Sequence, residues 1–157
     1  MGKKIISEYD KAGRRISVTH PASGKTTFGY DGGGNLITKQ TENLRKQGIH
    51  TNIRYTYTFN RLDSIIYPNH PENNVRYRYG APGAAFNRVG RLLAIEDGSG
   101  RQEFKYGRQG ELTELSRTLV IPNQGVASYV TQWEYDSWNR LRNMTYKQVS
   151  VRFITPS

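Results

Sequence analysis

The sequence contains no cysteine and no apolar run that approaches the length of a membrane-spanning helix. The first absence excludes a disulfide framework and thiolate metal sites. The second predicts no membrane insertion, because a spanning helix needs about 20 apolar residues. Lys3 and Lys4 are followed by no apolar stretch, so we expect no signal peptide in this chain and would place any export signal elsewhere in a parent protein.

Hydrophobic residues are also scarce, at 35% of the chain, but many of them are aromatic. The 157 residues include 11 Tyr, 5 Phe and 2 Trp, together with 16 Gly. Aromatic and β-branched residues favour strands, and a tyrosine suits a half-exposed sheet face because its ring packs while its hydroxyl reaches solvent or backbone. This composition predicts an all-β fold.

Tyrosines recur at six similar places, and a short turn pattern follows most of them. In the first copy Tyr9-Asp10 leads to Gly13, and in the last copy Tyr135-Asp136 leads to Asn139. Asp at the first position of a type I turn accepts from backbone N–H groups, and Gly or Asn after the turn adopts the left-handed conformation that closes the hairpin. The predicted structural turn residues are Tyr9, Asp10, Gly13, Tyr30, Asp31, Gly34, Tyr79, Gly90, Tyr106, Gly110, Tyr135, Asp136 and Asn139.

Two copies depart from this pattern. The copy after Tyr57 has Asn60 where the others have a longer turn, which predicts a tighter hairpin. The copy after Tyr79 is interrupted by an insertion, residues 80–87, before Gly90.

The residues around each turn have the periodicity of half-buried strands. Ile53, Tyr55 and Tyr57 alternate with polar residues before one turn, and beyond it Leu62 and Ile65 are three residues apart. A spacing of three interrupts the alternation and indicates a β-bulge. A second set of turns is expected at 21–24, 68–74, 97–100 and 122–125, with a further loop at 43–48. Together these features predict an antiparallel meander of about a dozen strands, built from repeated long β-hairpins.

These residues resemble the YD repeats of the Rhs family. The resemblance is carried by Tyr9-Asp10 to Arg14, Tyr30-Asp31 to Leu36, Gly90 to Tyr106, and Tyr135-Asp136 to Leu141, and it covers about residues 5 to 146. We therefore interpret residues 1–148 as a YD-repeat sheet of about six units, and residues 149–157 as a divergent or truncated tail.

The resemblance implies a non-catalytic segment of a hollow β-spiral shell that encloses or displays another polypeptide in a bacterial toxin or surface protein. Its implied partners are the rest of a larger Rhs polypeptide or an enclosed toxin domain, and its implied location is extracellular or at the cell surface. Six units are too few to close such a shell. The Asp-Pro pairs at which some family members cleave themselves are not found here, since Ser137 follows Asp136.

The net charge of +10 suggests a different partner. The Lys and Arg residues are spread along the chain without a basic block, which argues against nucleic acid. Arg54, Arg76 and Arg78 are nevertheless expected on the face opposite the tyrosines, where they could bind an acidic glycan or nucleic acid. A hydrated outer sheet face is the interpretation that we favour.

Nothing in the sequence predicts an enzyme, a cofactor or a metal site. His20, His50 and His70 are far apart and without ligand spacing. The carboxylates Asp10 and Asp31 recur at one position of the repeat, which indicates a structural role. An isolated segment of such a sheet would leave unpaired edge strands and an aromatic face, so we expect self-association through either surface.

Overall fold

A computed structural model describes residues 4–47, 52–121 and 125–152. Over these residues the chain is all-β, with twelve strands, one short α-helix and one 3-10 turn, so the predicted fold class is confirmed. The chain divides into two compact units, Met1–Asn74 and Val75–Ser157. His50 and most of the expected turn at 122–125 lie outside the described residues.

The first unit is an antiparallel meander in which each strand pairs with the next along the chain. Its strands are β1 (Ile6–Tyr9), β2 (Arg15–His20), β3 (Gly24–Tyr30), β4 (Leu36–Gln40), β5 (Ile53–Thr58) and β6 (Arg61–Ile66), and its 3-10 turn is Pro71–Asn73.

The second unit repeats this arrangement with longer strands toward its C-terminal side. Its strands are β7 (Val75–Tyr79), β8 (Leu92–Asp97), β9 (Gly100–Tyr106), β10 (Leu112–Ile121), β11 (Gly125–Tyr135) and β12 (Leu141–Arg152). Consecutive strands again pair antiparallel. The predicted meander is confirmed. Strand β12 pairs with β11 as far as Arg152.

The segment 43–48 was expected to be a loop, and this prediction is wrong for most of its residues. Helix α1 (Glu42–Lys46) begins there, with Thr41 Oγ1 accepting from Leu44 N at 3.4 Å. Glu42 in the first turn and Arg45 near the end suit the helix dipole, and they also form an ion pair at 2.8 Å. These short-range interactions favour a helix in a stretch with no apolar periodicity.

A β-bulge lies beside every tyrosine turn. Tyr106 pairs with Leu112, but Lys105 pairs with Glu114, so Thr113 is the extra residue. The same shift occurs at the other five turns, where the extra residues are Ile16, Ile37, Asp63, Leu93 and Arg142. The bulge predicted from the spacing of three is confirmed. It returns the next apolar residue to the face of the tyrosine.

The bulges set aromatic residues opposite aliphatic ones across each hairpin. Tyr55 pairs with Ile65, and Tyr57 pairs with Leu62. All four are half-buried, whereas Arg54 in the same strand is exposed. Each such cross-strand pair contributes roughly 0.2–1 kcal/mol.

Very little of the sheet is fully buried. Among the described residues, the buried apolar side chains are Ala94 and Ala127, and Ser17 is buried with 3% exposure. Each hairpin is therefore stabilised mainly by its sequence neighbours, through backbone pairing and half-buried aromatic contacts, and not by a central core.

Candidate functional site

Four of the six tyrosine turns share one backbone geometry. Gly13 N donates to Asp10 O at 3.0 Å, and Gly13 has φ 77°. Equivalent bonds run from Gly34 to Asp31 (3.2 Å), from Gly110 to Gly107 (3.2 Å) and from Asn139 to Asp136 (3.0 Å). The left-handed residue also recurs, at Gly34, Gly90, Gly110 and Asn139. This is a type I turn followed by a left-handed residue.

The turn aspartates accept hydrogen bonds with both carboxylate oxygens. Asp31 Oδ1 accepts from Asn35 N at 2.8 Å, and its Oδ2 accepts from Asn35 Nδ2 at 2.9 Å. The Asn35 side chain is the main reason that the pKa of Asp31 is lowered. Such a carboxylate remains ionised and engaged in closing the turn.

Asp10 and Asp136 close their turns in the same way, with an arginine in the place of Asn35. Arg14 and Arg140 each donate Nε to the carboxylate Oδ2 at 2.7 Å and backbone N to Oδ1 at 2.9 Å. Their backbone N–H groups are the leading cause of the lowered pKa of each aspartate.

The tyrosine hydroxyls connect each hairpin to the one before it. Tyr135 Oη donates to Leu112 O at 2.9 Å, and Leu112 is the residue that pairs with Tyr106, the tyrosine of the preceding turn. We call this set of bonds the tyrosine ladder. Its other described members are Tyr30 to Arg15 (2.9 Å), Tyr57 to Leu36 (3.0 Å) and Tyr106 to Leu92 (2.8 Å). Burial raises the pKa of Tyr57 and of Tyr106, so both hydroxyls stay protonated donors at neutral pH.

In two cases an arginine of the preceding turn contacts the ring of the ladder tyrosine. Arg14 Nη1 donates to Asp31 O at 3.0 Å, and its guanidinium lies 5.1 Å from the centroid of the Tyr30 ring. Arg91 lies in the same way over the Tyr106 ring, at 5.7 Å. Each contact adds a cation–π attraction between successive turns.

The arginines considered for anion binding lie in different units and have different partners. Arg54 is exposed on β5, and Arg76 and Arg78 are exposed on β7. Arg78 Nε is paired with Glu96 at 3.0 Å, and Glu96 also pairs with Arg101. Within the described ranges, Arg54 and Arg76 form no ion pair.

The two described histidines have local partners. His20 Nδ1 accepts from Ala22 N at 3.1 Å, and His70 Nδ1 lies 2.9 Å from Glu72 Oε1. In the part of the chain that the structure covers, no three His, Asp or Glu side chains gather as a metal site would require. None of the helical segments in that part is long and apolar enough to span a bilayer.

Residues 9–46, which contain the first two tyrosine turns, match the family model described as RHS Repeat. The chain carries an RHS repeat. The resemblance to the Rhs family is thereby confirmed on the stretch that includes Tyr9-Asp10 and Tyr30-Asp31. A search of curated proteins gives no match.

Solved structures with the same fold come from Tc toxin components. The chain is similar to a crystal structure of TcdB2-TccC3-TEV (TM-score 0.70, 18% identity, 90% of this chain covered). It is similar also to TcdB2-TccC3-Cdc42 (0.71, 18%, 92%) and to a Photorhabdus luminescens Tc holotoxin pore with a TccC3 variant (0.70, 18%, 91%). In each case the match spans only 8% of the other chain.

The fifth turn differs from the second turn in the position of its carboxylate. Gly107 stands where Asp31 stands in the second turn, and Glu111 stands where Asn35 does. The Glu111 carboxylate folds back onto Gly107 and occupies the space that a Cβ at position 107 would need. Its Oε2 is buried and makes no hydrogen bond with a described residue.

The turn after Tyr57 is the tight hairpin expected from the sequence. Thr58 pairs with Arg61, which leaves Phe59 and Asn60 as a two-residue loop. Their φ values of 50° and 57° are those of a type I′ turn. Phe59 is unusual there, because a bulky residue rarely adopts positive φ, and its side chain is 90% exposed.

The insertion in the turn after Tyr79 extends the pairing of β9. Strand β8 pairs with β9 only up to Glu103. Beyond it, Tyr106 N donates to Phe86 O at 3.2 Å and Asn87 Nδ2 donates to Tyr106 O at 3.0 Å. The insertion therefore satisfies backbone groups that β8 does not reach.

Sequence reasoning identified the ladder tyrosines but not their acceptors. The acceptors are backbone carbonyls, which carry no side-chain pattern. The constant position of Leu36, Leu92 and Leu112 after the turn was the available signal.

Proposed function

We propose that this chain is a non-catalytic structural segment of an Rhs-type shell or toxin-delivery scaffold, which encloses or displays another polypeptide. The observation that carries the proposal is the tyrosine ladder, in which a hydroxyl in one hairpin donates to a backbone carbonyl in the hairpin before it. A hydrogen bond that is repeated in successive turns produces an extended surface, whereas an active site usually occurs once in a chain.

The exposure of the sheet supports the same role. Among the described residues, the buried apolar side chains are two alanines. Such a sheet lacks the apolar core of a domain that encloses a pocket. The turn carboxylates are also occupied, because both oxygens of Asp10, Asp31 and Asp136 accept hydrogen bonds from the turn itself.

The implied partners are the remainder of a larger Rhs polypeptide or an enclosed toxin domain, and the implied setting is a bacterial protein that acts outside the cell or at its surface. The fold shared with TcdB2-TccC3 and with a Tc holotoxin pore supports this setting. In the same proposal the sequence repeat spans 1–148, and 149–157 is a divergent tail whose first residues still pair with β11.

Sequencing the reading frame on both sides of the chain tests the proposal. We expect further tyrosine-turn repeats, a toxin domain, or both. An isolated complete gene with neither would contradict a shell segment.

A binding module for an acidic glycan or nucleic acid is the second candidate. It is favoured by the net charge of +10 and by Arg54 and Arg76, which are exposed and form no ion pair with a described residue. The pairing of Arg78 with Glu96 weakens it. Titration with heparin and with single-stranded DNA at two salt concentrations decides, since electrostatic binding falls steeply with salt. Absence of salt-dependent binding removes this candidate.

A further inference from the structure

The insertion at 80–87 has no counterpart in the other turns, and it places an aromatic ring on the sheet in a strained conformation. Phe86 and Asn87 have φ values of 58° and 53°, in the left-handed region that a phenylalanine rarely adopts. The Phe86 side chain is also 54% exposed. Backbone strain of this kind is concentrated at ligand clamps and other functional sites. Because the repeated turns have structural roles, this non-repeated segment is a candidate for a different one.

Hydrogen bonds and cations hold the strained residues in place. Tyr106 N donates to Phe86 O at 3.2 Å, and Asn87 Nδ2 donates to Tyr106 O at 3.0 Å. The Phe86 ring lies 4.6 Å from Lys105 Nζ and 5.0 Å from the guanidinium of Arg88, measured from its centroid. Both cations are attracted to the ring. The exposed part of the ring is therefore fixed before any ligand arrives.

Polar side chains of three strands line an open cleft of about 390 Å³ beside this ring. Lys105 on β9, Glu114 on β10 and Gln132 on β11 are cross-strand neighbours. Glu114 Oε1 lies 2.6 Å from Lys105 Nζ, and its Oε2 accepts from Gln132 Nε2 at 2.8 Å. Glu134 follows on the same face of β11, and its carboxylate has no partner among the described residues. The cleft thus offers oriented donors and a free acceptor next to an apolar ring.

The charges around the ring exclude an anion as the preferred ligand. Lys105 and Glu114 form a neutral pair, and the ammonium of Lys105 is the main reason that the pKa of Glu114 is lowered. Arg88 and Glu134 contribute one charge of each sign. With no net charge, the surroundings of the ring favour a neutral ligand that has several hydrogen-bonding groups.

The pairing of the strands distinguishes a saccharide from a peptide. A sugar has hydroxyl groups around its edge and an apolar C–H face, which match polar side chains beside an aromatic ring. An extended peptide binds a sheet by adding to an unpaired edge. Strands β9, β10 and β11 are each paired with a strand on both sides, so the cleft offers no such edge.

We propose that this cleft binds a neutral saccharide, with Phe86 contacting the C–H face of one sugar ring. Lys105, Gln132 and Glu134 form hydrogen bonds with its hydroxyl groups. The cleft lies within one unit, Val75–Ser157, and the proposal does not rest on a role in a shell. It also differs from the acidic-glycan candidate, since its ligand is uncharged and neither Arg54 nor Arg76 takes part.

Nuclear magnetic resonance of the ¹⁵N-labelled full chain tests the site. Maltotetraose, cellotetraose and chitotetraose are the probes, and an alanine peptide is the comparison. At least one saccharide should shift the amide signals of Phe86 and Glu134 and the side-chain amide of Gln132, with an affinity that is the same at two salt concentrations. No shift with any saccharide, shifts confined to other residues, an affinity that falls with salt, or shifts with the peptide alone would overturn the proposal.

Three variants separate the cleft from exposed residues in general. Phe86→Ala and Glu134→Gln should each raise the dissociation constant about 2- to 10-fold, which corresponds to the loss of one contact. Glu134 has no described partner, so its variant folds even if Phe86→Ala disturbs the insertion. Phe59→Ala is the matched control, because Phe59 has a similar φ of 50° and is 90% exposed away from the cleft. Equal weakening by Phe59→Ala, or unchanged affinity in both cleft variants, would overturn the proposal.

Discussion

The exchanged carboxylate of the fifth turn gives a prediction that depends on two residues acting together. Gly107→Asp alone would place a second carboxylate in the space that the Glu111 carboxylate occupies. Glu111→Asn alone removes a carboxylate oxygen that is buried without a described partner, so it should leave stability unchanged or higher. Together the two substitutions recreate the Asp31–Asn35 pair of the second turn.

The coupling free energy is the stability that the double variant gains beyond the sum of the two single variants. The side-chain bond equivalent to Asp31 Oδ2 with Asn35 Nδ2, 2.9 Å long, contributes about 1 kcal/mol. In the Gly107→Asp variant the introduced carboxylate contacts that of Glu111, and relief of this like-charge contact adds a few tenths to about 1 kcal/mol. We therefore expect a coupling free energy of about 1–2 kcal/mol in favour of the double variant.

Urea titration of the four proteins measures this coupling through tryptophan fluorescence. Trp133 and Trp138 lie in the same unit as the turn, Val75–Ser157, so they report on its unfolding. The slope of the free energy against urea must match among the four proteins for the comparison to hold. If the effects of the two single substitutions on the free energy of unfolding add to within about 0.5 kcal/mol, Glu111 does not perform the role of the missing aspartate.

Three further variants, with one control, test the turns and the ladder by the same titration. Tyr135→Phe should lower the free energy of unfolding by about 0.5–1.5 kcal/mol, and Tyr129→Phe, whose hydroxyl donates to no described residue, should not. The lowered pKa of Asp31 predicts stability that is present above the unfolded pKa of about 3.9 and lost as pH falls through the folded pKa. Asp31→Asn should therefore flatten the acid limb, and an unchanged limb would contradict this. Phe59→Asn with Asn60→Gly should raise stability by about 1 kcal/mol by relieving the positive φ of Phe59, and a loss would refute the turn assignment.

The parts of the fold that depend on neighbouring residues could be predicted from the sequence. The turn at Asp31 and Gly34 follows from side-chain acceptors and positive φ, and the bulge follows from the spacing of Leu62 and Ile65. Helix α1 was missed because its stabilising contacts, such as Glu42 with Arg45, have no apolar period to reveal them.

Features that depend on which strands become neighbours could not be predicted in the same way. The acceptor of the Tyr135 hydroxyl lies 23 residues away and is a backbone atom. The hydrogen bond from Tyr106 N to Phe86 O likewise depends on where β8 stops pairing with β9. Such contacts are read from the strand order, which becomes known only when the fold is known.

The small number of buried apolar side chains among the described residues also determines how this chain should unfold. Since Ala94 and Ala127 are the described apolar residues that are buried, a hairpin owes its stability to the hairpins on either side of it. The thermodynamics are then those of a linear array, in which interior members have two favourable interfaces and end members have one. Amide hydrogens of β12 should exchange before those of β10, and lengthening the array by one hairpin should add a nearly constant increment of stability, whatever its starting length.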